Sequence, residues 1–220
     1  MGSGYQIALR DMEIRGVGNI LGAEQHGHMI SVGFDLYCQL LNEAVDKLRG
    51  LEVQDKELEC VVDLNISAYI PNTYIEDETQ KVIEYKRLAN IRTNKELEYI
   101  SSEWKDRFGN FPEEVTNLIR IVELRTFASE LNIKHIKSES GETSNVKIFT
   151  NLRLQLWLVI QSKLPRSLAG RTSFKGSARG GSENSYLLVK TTGLSAKQQL
   201  DIVFEVLHCL KTMDINEKIA

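Results

Sequence analysis

The run from Asp77 to Leu131 constrains the fold more than any other part of this chain, because helix starts and stops follow one another closely there. Asp77 and Gln80 have capping-box spacing ahead of an apolar run from Val82 to Ile91. In that device the N-cap oxygen accepts from the N–H three residues on, and the side chain at that third position reaches back. Thr93 and Glu96 repeat it before Leu97, Ile100, Trp104 and Phe108, which share one helical face. Gly109 closes this second helix, and Pro112 opens the next where a missing N–H costs nothing. Val115, Leu118, Ile119 and Val122 carry the third helix to about Leu131. Joints this short predict an antiparallel helical cluster.

On the N-terminal side, Tyr5, Ile7 and Leu9 alternate with polar or small residues and lead into a glycine-punctuated segment, Asp11 to Gly27. Val32, Leu36, Leu40, Leu41, Val45 and Leu48 then form the stripe of an amphipathic helix that ends near Gly50. Residues 51–58 are polar and acidic and read as a linker. Cys60 to Ile70 alternates at period two, a strand stopped by Pro71-Asn72. Beyond the three helices, Ile133–Lys137 and Val146–Thr150 read as strands, and Asn151 as the cap of a helix through Leu156, Trp157 and Ile160. Ser167–Lys175 and Ser185–Thr192 read as two further strands joined by the glycine-rich Gly176–Gly181 loop. Ser195 and Gln198 form another capping box before Leu200, Val203, Leu207 and Leu210. The predicted class is therefore α/β in the mixed α+β sense. Residues 1–50 form a helical hairpin or loop appendage, and 59–220 a compact domain with a helical cluster and a small mixed sheet.

No apolar run approaches the ~18 residues of a membrane span. Met1-Gly2-Ser3-Gly4 lacks the apolar core of a signal peptide, so neither membrane nor secretion is expected. Cys38, Cys60 and Cys209 are odd in number and widely spaced, which argues against a disulfide framework or a zinc knuckle and fits a reducing cytoplasm. The net charge of −3 is unevenly spread. Residues 136–220 carry twelve Lys and Arg against seven Asp and Glu, whereas 1–57 and 58–135 are each at −4. Between Glu142 and Glu183 every charged side chain is basic, from Lys147 through Arg153, Lys163, Arg166, Arg171 and Lys175 to Arg179. Such a stretch can meet phosphates or an acidic partner, or can simply be a solvated loop. It motivates a rival function, an autonomous nucleic-acid-binding module using residues 147–179.

Catalytic signals are lacking. Nothing matches the G-x-x-x-x-G-K-[ST] phosphate loop. Gly16-Val17-Gly18-Asn19-Ile20-Leu21-Gly22 is one residue too long for a dinucleotide fingerprint, and its glycines read as positions of free φ and close backbone approach. His26, His28 and Cys38 lack a fourth metal ligand. Trp104 and Trp157 lie on apolar stripes and read as core rather than as stacking platforms. Glu103 and Asp106 stand three apart on one face of the second helix. Such an acidic pair repels itself slightly unless something basic lies opposite, though a solvated face also accounts for it.

Asp11-x-Glu13-Ile14-Arg15-Gly16-x-Gly18-x-x-Leu21-Gly22-x-x-Gln25-x-Gly27 resembles the translocation motif shared by fork-reversal (RecG-like) helicases and the bacterial transcription-repair coupling factors. Val32-Gly33-Phe34-Asp35-Leu36-Tyr37, Ile70-Pro71-x-x-Tyr74-Ile75, Tyr85-Lys86-Arg87-Leu88 and Asp106-Arg107-Phe108-Gly109-x-x-Pro112 are similar to the C-terminal region of the coupling factors specifically. The likeness runs over roughly residues 5–135 and is loose beyond. It implies the C-terminal fragment of a DNA translocase, not an enzyme by itself and without a cofactor of its own, ATP and Mg belonging to the full-length motor. By position it makes Arg15 and Gln25, with Glu13, Gly16, Gly18 and Gly22, the motif that relays lobe motion to double-stranded DNA; bracing a local fold is the alternative role for Arg15 and Gln25. It also implies that Glu103 and Asp106 belong to an acidic docking face. That face would press on arginines of an N-terminal module that recruits the damage sensor UvrA, while RNA polymerase binds through another domain.

Overall fold

The computed structural model describes residues 60–139, 145–150, 152, 154–176 and 185–217. The expected appendage 1–50, the linker 51–58, the cap at Asn151 and most of the 176–181 loop lie outside the described residues. Those described fall into two compact units: residues 66–122 in one, and residues 60–65 with those from 123 onward in the other.

The first unit holds the helices that the punctuation predicts. Helix α1 is Glu78–Ala89, α2 is Asn94–Phe108 and α3 is Glu113–Glu130, which begins in this unit and ends in the other. Thr93 and Glu96 form the full reciprocal box at α2. At α1 only half of it forms: Asp77 accepts from the Gln80 N–H at 2.7 Å, but the Gln80 amide turns away to Glu84 at 2.6 Å. A buried carboxylate that needs donors outcompetes the cap for that side chain. Gly109 ends α2 at φ 86°, a left-handed backbone that a side chain would strain. Pro112, just ahead of α3, accepts from the Thr116 N–H at 3.0 Å.

The expected strand 60–70 is shorter than its pattern. Only Val61–Asp63 is β1. Burial nevertheless alternates through Leu64, Ile66, Ala68 and Ile70, all buried. Period two records an extended chain with one face inward; a ladder also needs a neighbouring strand to pair with. At Asn65 the N–H is taken by the Ser138 hydroxyl at 2.9 Å instead of a strand carbonyl.

In the second unit α3 ends in a Schellman turn. Asn132 takes φ 54°, its N–H donates to Ser129, and the Ile133 N–H donates to Ala128. The chain then runs through β2 (His135–Ser138), β3 (Asn145–Phe149), α4 (Leu154–Lys163), α5 (Arg166–Ala169), β4 (Thr172–Lys175), β5 (Tyr186–Lys190) and α6 (Ala196–Glu217). The strands form one mixed sheet ordered β1-β2-β3-β5-β4, with β1 parallel to β2 and the rest antiparallel. The predicted β-β-α-β-β-α order stands, with one correction. Residues 167–169 of the expected strand 167–175 are helical, within α5, because Pro165 supplies the carbonyl that accepts from the N–H groups of Leu168 and Ala169. Ser195 and Gln198 form both bonds of their box, at 2.9 and 3.3 Å. One sheet face is buried through Val62, Ile136, Ile148 and Leu187, and Trp157 of α4 stacks on Phe174 at 6.4 Å. On the other face none of the described side chains is fully buried, and His135, Lys137, Lys175 and Lys190 are exposed, so solvent reaches it.

Candidate protein-interaction site

The polar chemistry of the first unit gathers where α1 meets α2. Glu84 is fully buried, and a buried carboxylate is tolerated only when its lone pairs are filled. Here each oxygen has two donors. Oε1 accepts from Gln80 Nε2 at 2.6 Å and Arg107 Nη1 at 3.2 Å, and Oε2 from Arg87 Nη1 at 2.8 Å and Trp104 Nε1 at 2.9 Å. The two arginines reach the second carboxylate as well. Arg87 grips Glu103 with both terminal nitrogens, at 2.9 and 2.6 Å, and Arg107 meets it at 2.7 Å. Two carboxylates thus hold two guanidiniums in a closed, neutral group, and planar forks suit such bidentate contact.

The Arg87 hydrogen bonds hold Glu103 far below the usual carboxylate range, at about 2, with Arg107 adding to the effect. Arg87 is correspondingly raised, its bond to Glu103 being the largest cause. A depressed carboxylate stabilises the fold above its unfolded value, near 4.5, and loses that contribution as pH falls toward 2. Acid titration of the unfolding midpoint should therefore show a loss between about pH 4.5 and 2 that is missing in Glu103→Gln. Identical acid limbs in the two proteins would refute this role.

Sequence reading singled out Glu103 and Asp106 together; the structure separates their circumstances. The basic groups facing Glu103 are Arg87 and Arg107 of its own unit. Asp106, one turn further along α2, is exposed and has no hydrogen bond or ion pair among the described residues. Its neighbour Lys105 leans over the Phe111 ring at 5.1 Å. On the same helical stripe Tyr99 is 70% exposed. Glu84, Arg87 and Arg107 were legible only as spacings, an i,i+3 and an i,i+4 pair. Trp104 is core, as expected, with no exposed surface, and so is Trp157.

Around this group stand other residues of the quoted motifs. Tyr85 Oη accepts from the Ile70 N–H at 2.7 Å. Tyr74 Oη donates to the carbonyls of Trp104 at 3.1 Å and Gly109 at 3.3 Å, and burial pushes its pKa up to about 12. These side chains tie the loop 66–75 to the helices, so the motifs encode architecture.

Arg15, Gln25, Glu13, Gly16, Gly18 and Gly22 lie outside the described residues, as do His26, His28 and Cys38. Among the described residues no cluster of His, Cys, Asp and Glu could hold a metal, and no helix is long and apolar enough to cross a membrane. Of the basic stretch, Lys147 pairs with Glu139 at 2.9 Å, while Lys163, Arg166 and Lys175 are exposed.

A helical unit carrying a closed ion-pair group, joined in sequence to a five-stranded mixed sheet, defines a mixed α+β module with the fold of a protein solved as the C-terminal domain of a transcription-repair coupling factor. That match has TM-score 0.57 at 19% identity, over 70% of this chain and 92% of that one. The chain belongs to the transcription-repair-coupling-factor family. The family profile described as TRCF domain matches residues 64–151. The transcription-repair-coupling factor of Bacillus subtilis (strain 168) is 36% identical over 219 residues, covering 96% of this chain and 18% of that protein. Its counterpart in Borreliella burgdorferi is 32% identical over 213 residues, with the same coverage of each chain. That of Staphylococcus aureus (strain USA300) is 45% identical over 140 residues, covering 63% of this chain and 12% of the relative. The chain thus spans less than a fifth of the length of these relatives.

Proposed function

We propose that this chain is the regulatory tail of a cytoplasmic DNA translocase that couples transcription to nucleotide-excision repair. Residues 59–220 act as an autoinhibitory interaction module, and residues 1–50 carry the translocation motif. The observation that carries the docking half is Asp106, an uncompensated carboxylate beside an arginine-pinned Glu103 and an exposed Tyr99 on one helical face. A rigid acidic surface of this kind suits an arginine-bearing partner. The partner is the N-terminal module of the same long protein, whose UvrA-recruiting surface would be masked until the face lets go. ATP with Mg, double-stranded DNA and RNA polymerase engage other parts of that protein, so this piece alone is not an enzyme.

In the motif, Arg15 supplies a multi-donor contact to a carboxylate, carbonyl or phosphate, and Gln25 bridges donor and acceptor across a moving joint. Arg15→Ala in the long protein should stop movement along DNA in a triplex-displacement assay while most DNA-stimulated ATP hydrolysis survives. Equal loss of both would assign Arg15 to the fold or the nucleotide site. The rival reading, an autonomous nucleic-acid module built on the basic stretch 147–179 as such, has less support, since its described cations are divided between strands (Lys147, Lys175) and helices (Lys163, Arg166), and Arg171 donates to the Lys190 carbonyl.

A further inference from the structure

We infer that the open face of the five-stranded sheet is a binding platform for single-stranded nucleic acid. This goes beyond the docking reading and does not depend on it, since every residue involved belongs to the second unit.

The register places Val61, His135, Phe149, Tyr186 and Lys175 in one row across all five strands. Three of the five are aromatic and sit on consecutive strands. The rings of His135 and Phe149 are 6.1 Å apart at 80°, and those of Phe149 and Tyr186 are 5.6 Å apart at 46°. None of the five is buried. The next row along the strands carries Asp63, Lys137, Lys147, Leu188 and Ser173, and Asn145 pairs with Lys190 beyond it. Lys147 Nζ lies 5.1 Å from the Tyr186 centroid.

A sheet with one face packed needs only polar, solvated side chains on the other. This one instead spends its open face on rings flanked by four lysines, Lys137, Lys147, Lys175 and Lys190, against Asp63 and Glu139. Rings on neighbouring strands about 4.8 Å apart offer π-faces to successive bases, and cations beside them meet the phosphates. Asp63 sits 3.8 Å from Lys137 and Glu139 2.9 Å from Lys147, pairs on the solvated face that an incoming phosphate can replace. Cross-strand aromatic pairs also stabilise sheets, so the test must read more than stability.

The test is fluorescence anisotropy of labelled ten-nucleotide oligothymidylate, oligouridylate and a DNA hairpin duplex, titrated with the 220-residue chain over a salt series. Single strands should bind more tightly than duplex, and log K should fall with log salt at a slope of about −2 to −3, near −0.7 per phosphate contacted. The thymidylate and uridylate arms distinguish DNA from RNA. Phe149→Leu and Tyr186→Leu preserve an apolar cross-strand pair but remove a stacking face. Each should weaken binding about 5-fold to 100-fold with little change in melting temperature. Lys137→Ala and Lys175→Ala, exposed and harmless to folding, should each flatten the slope by about 0.7. No saturable single-strand binding at low salt, duplex binding as tight as single-strand binding, or slopes and affinities indifferent to all four substitutions would overturn the proposal.

Discussion

Glu84→Ala should lower the stability of the first unit by about 3–5 kcal/mol, the typical cost of removing one member of a buried ion-pair group. Four donors converge on this carboxylate, and they are not equally replaceable. Arg87 and Arg107 are partly exposed and can swing into water, retaining Glu103. The Trp104 indole N–H cannot, because that side chain is wholly buried, and an unsatisfied donor there costs about 1–3 kcal/mol by itself. Glu84→Gln, which keeps the volume and part of the bonding, should cost less. The chain has two tryptophans, one in each unit, so their indole N–H signals separate the responses. Urea titration followed by the Trp104 resonance should shift to lower denaturant while Trp157 shifts less. A loss below about 1 kcal/mol in Glu84→Ala would show that this group is not what holds α1 to α2.

Local signals were legible because they are written in adjacent residues. Thr93 with Glu96, Ser195 with Gln198, and the Gly109 to Pro112 joint each obey short-range hydrogen-bond rules, and all form. Expectations fail where tertiary structure, not the adjacent sequence, decides the partner. The ladder of β1 stops at Asp63 because β2 no longer pairs with it, a neighbour more than seventy residues away. Gln80 leaves its cap for a carboxylate four residues on, a choice made only once Glu84 is buried. The candidate site shows the same division. Glu103 and Asp106 were visible as an acidic pair, but that Arg87 of another helix neutralises one and leaves the other bare is a tertiary fact. The aromatic row on the sheet was likewise hidden, since His135, Phe149 and Tyr186 become neighbours only through strand register.

This inequality between the two acids shapes the other large expectation. In the full-length protein, Asp106→Arg should raise binding of the excision-repair sensor by about 5-fold to 150-fold, the range of coupling energies near 1–3 kcal/mol. Asp106 is exposed and bonds to no described residue, so reversing it should change the stability of its own unit by no more than about 0.5 kcal/mol. Any gain in sensor binding then reports release of the masked surface and not unfolding. Glu103→Lys is the poorer probe. It sets three cations against Glu84 alone and disrupts the Arg87 clamp, so exposure of the sensor surface would follow from damage to the fold as readily as from lost docking. Compared at equal concentration, Asp106→Arg should therefore raise sensor binding with an unchanged melting temperature, and Glu103→Lys should raise it with a lowered one. An arginine-to-aspartate exchange on the masked module should restore repression only in the Asp106→Arg background. Sensor binding that stays at the wild-type level in Asp106→Arg would remove this face from the docking interface, because no structural role is left to hide its effect.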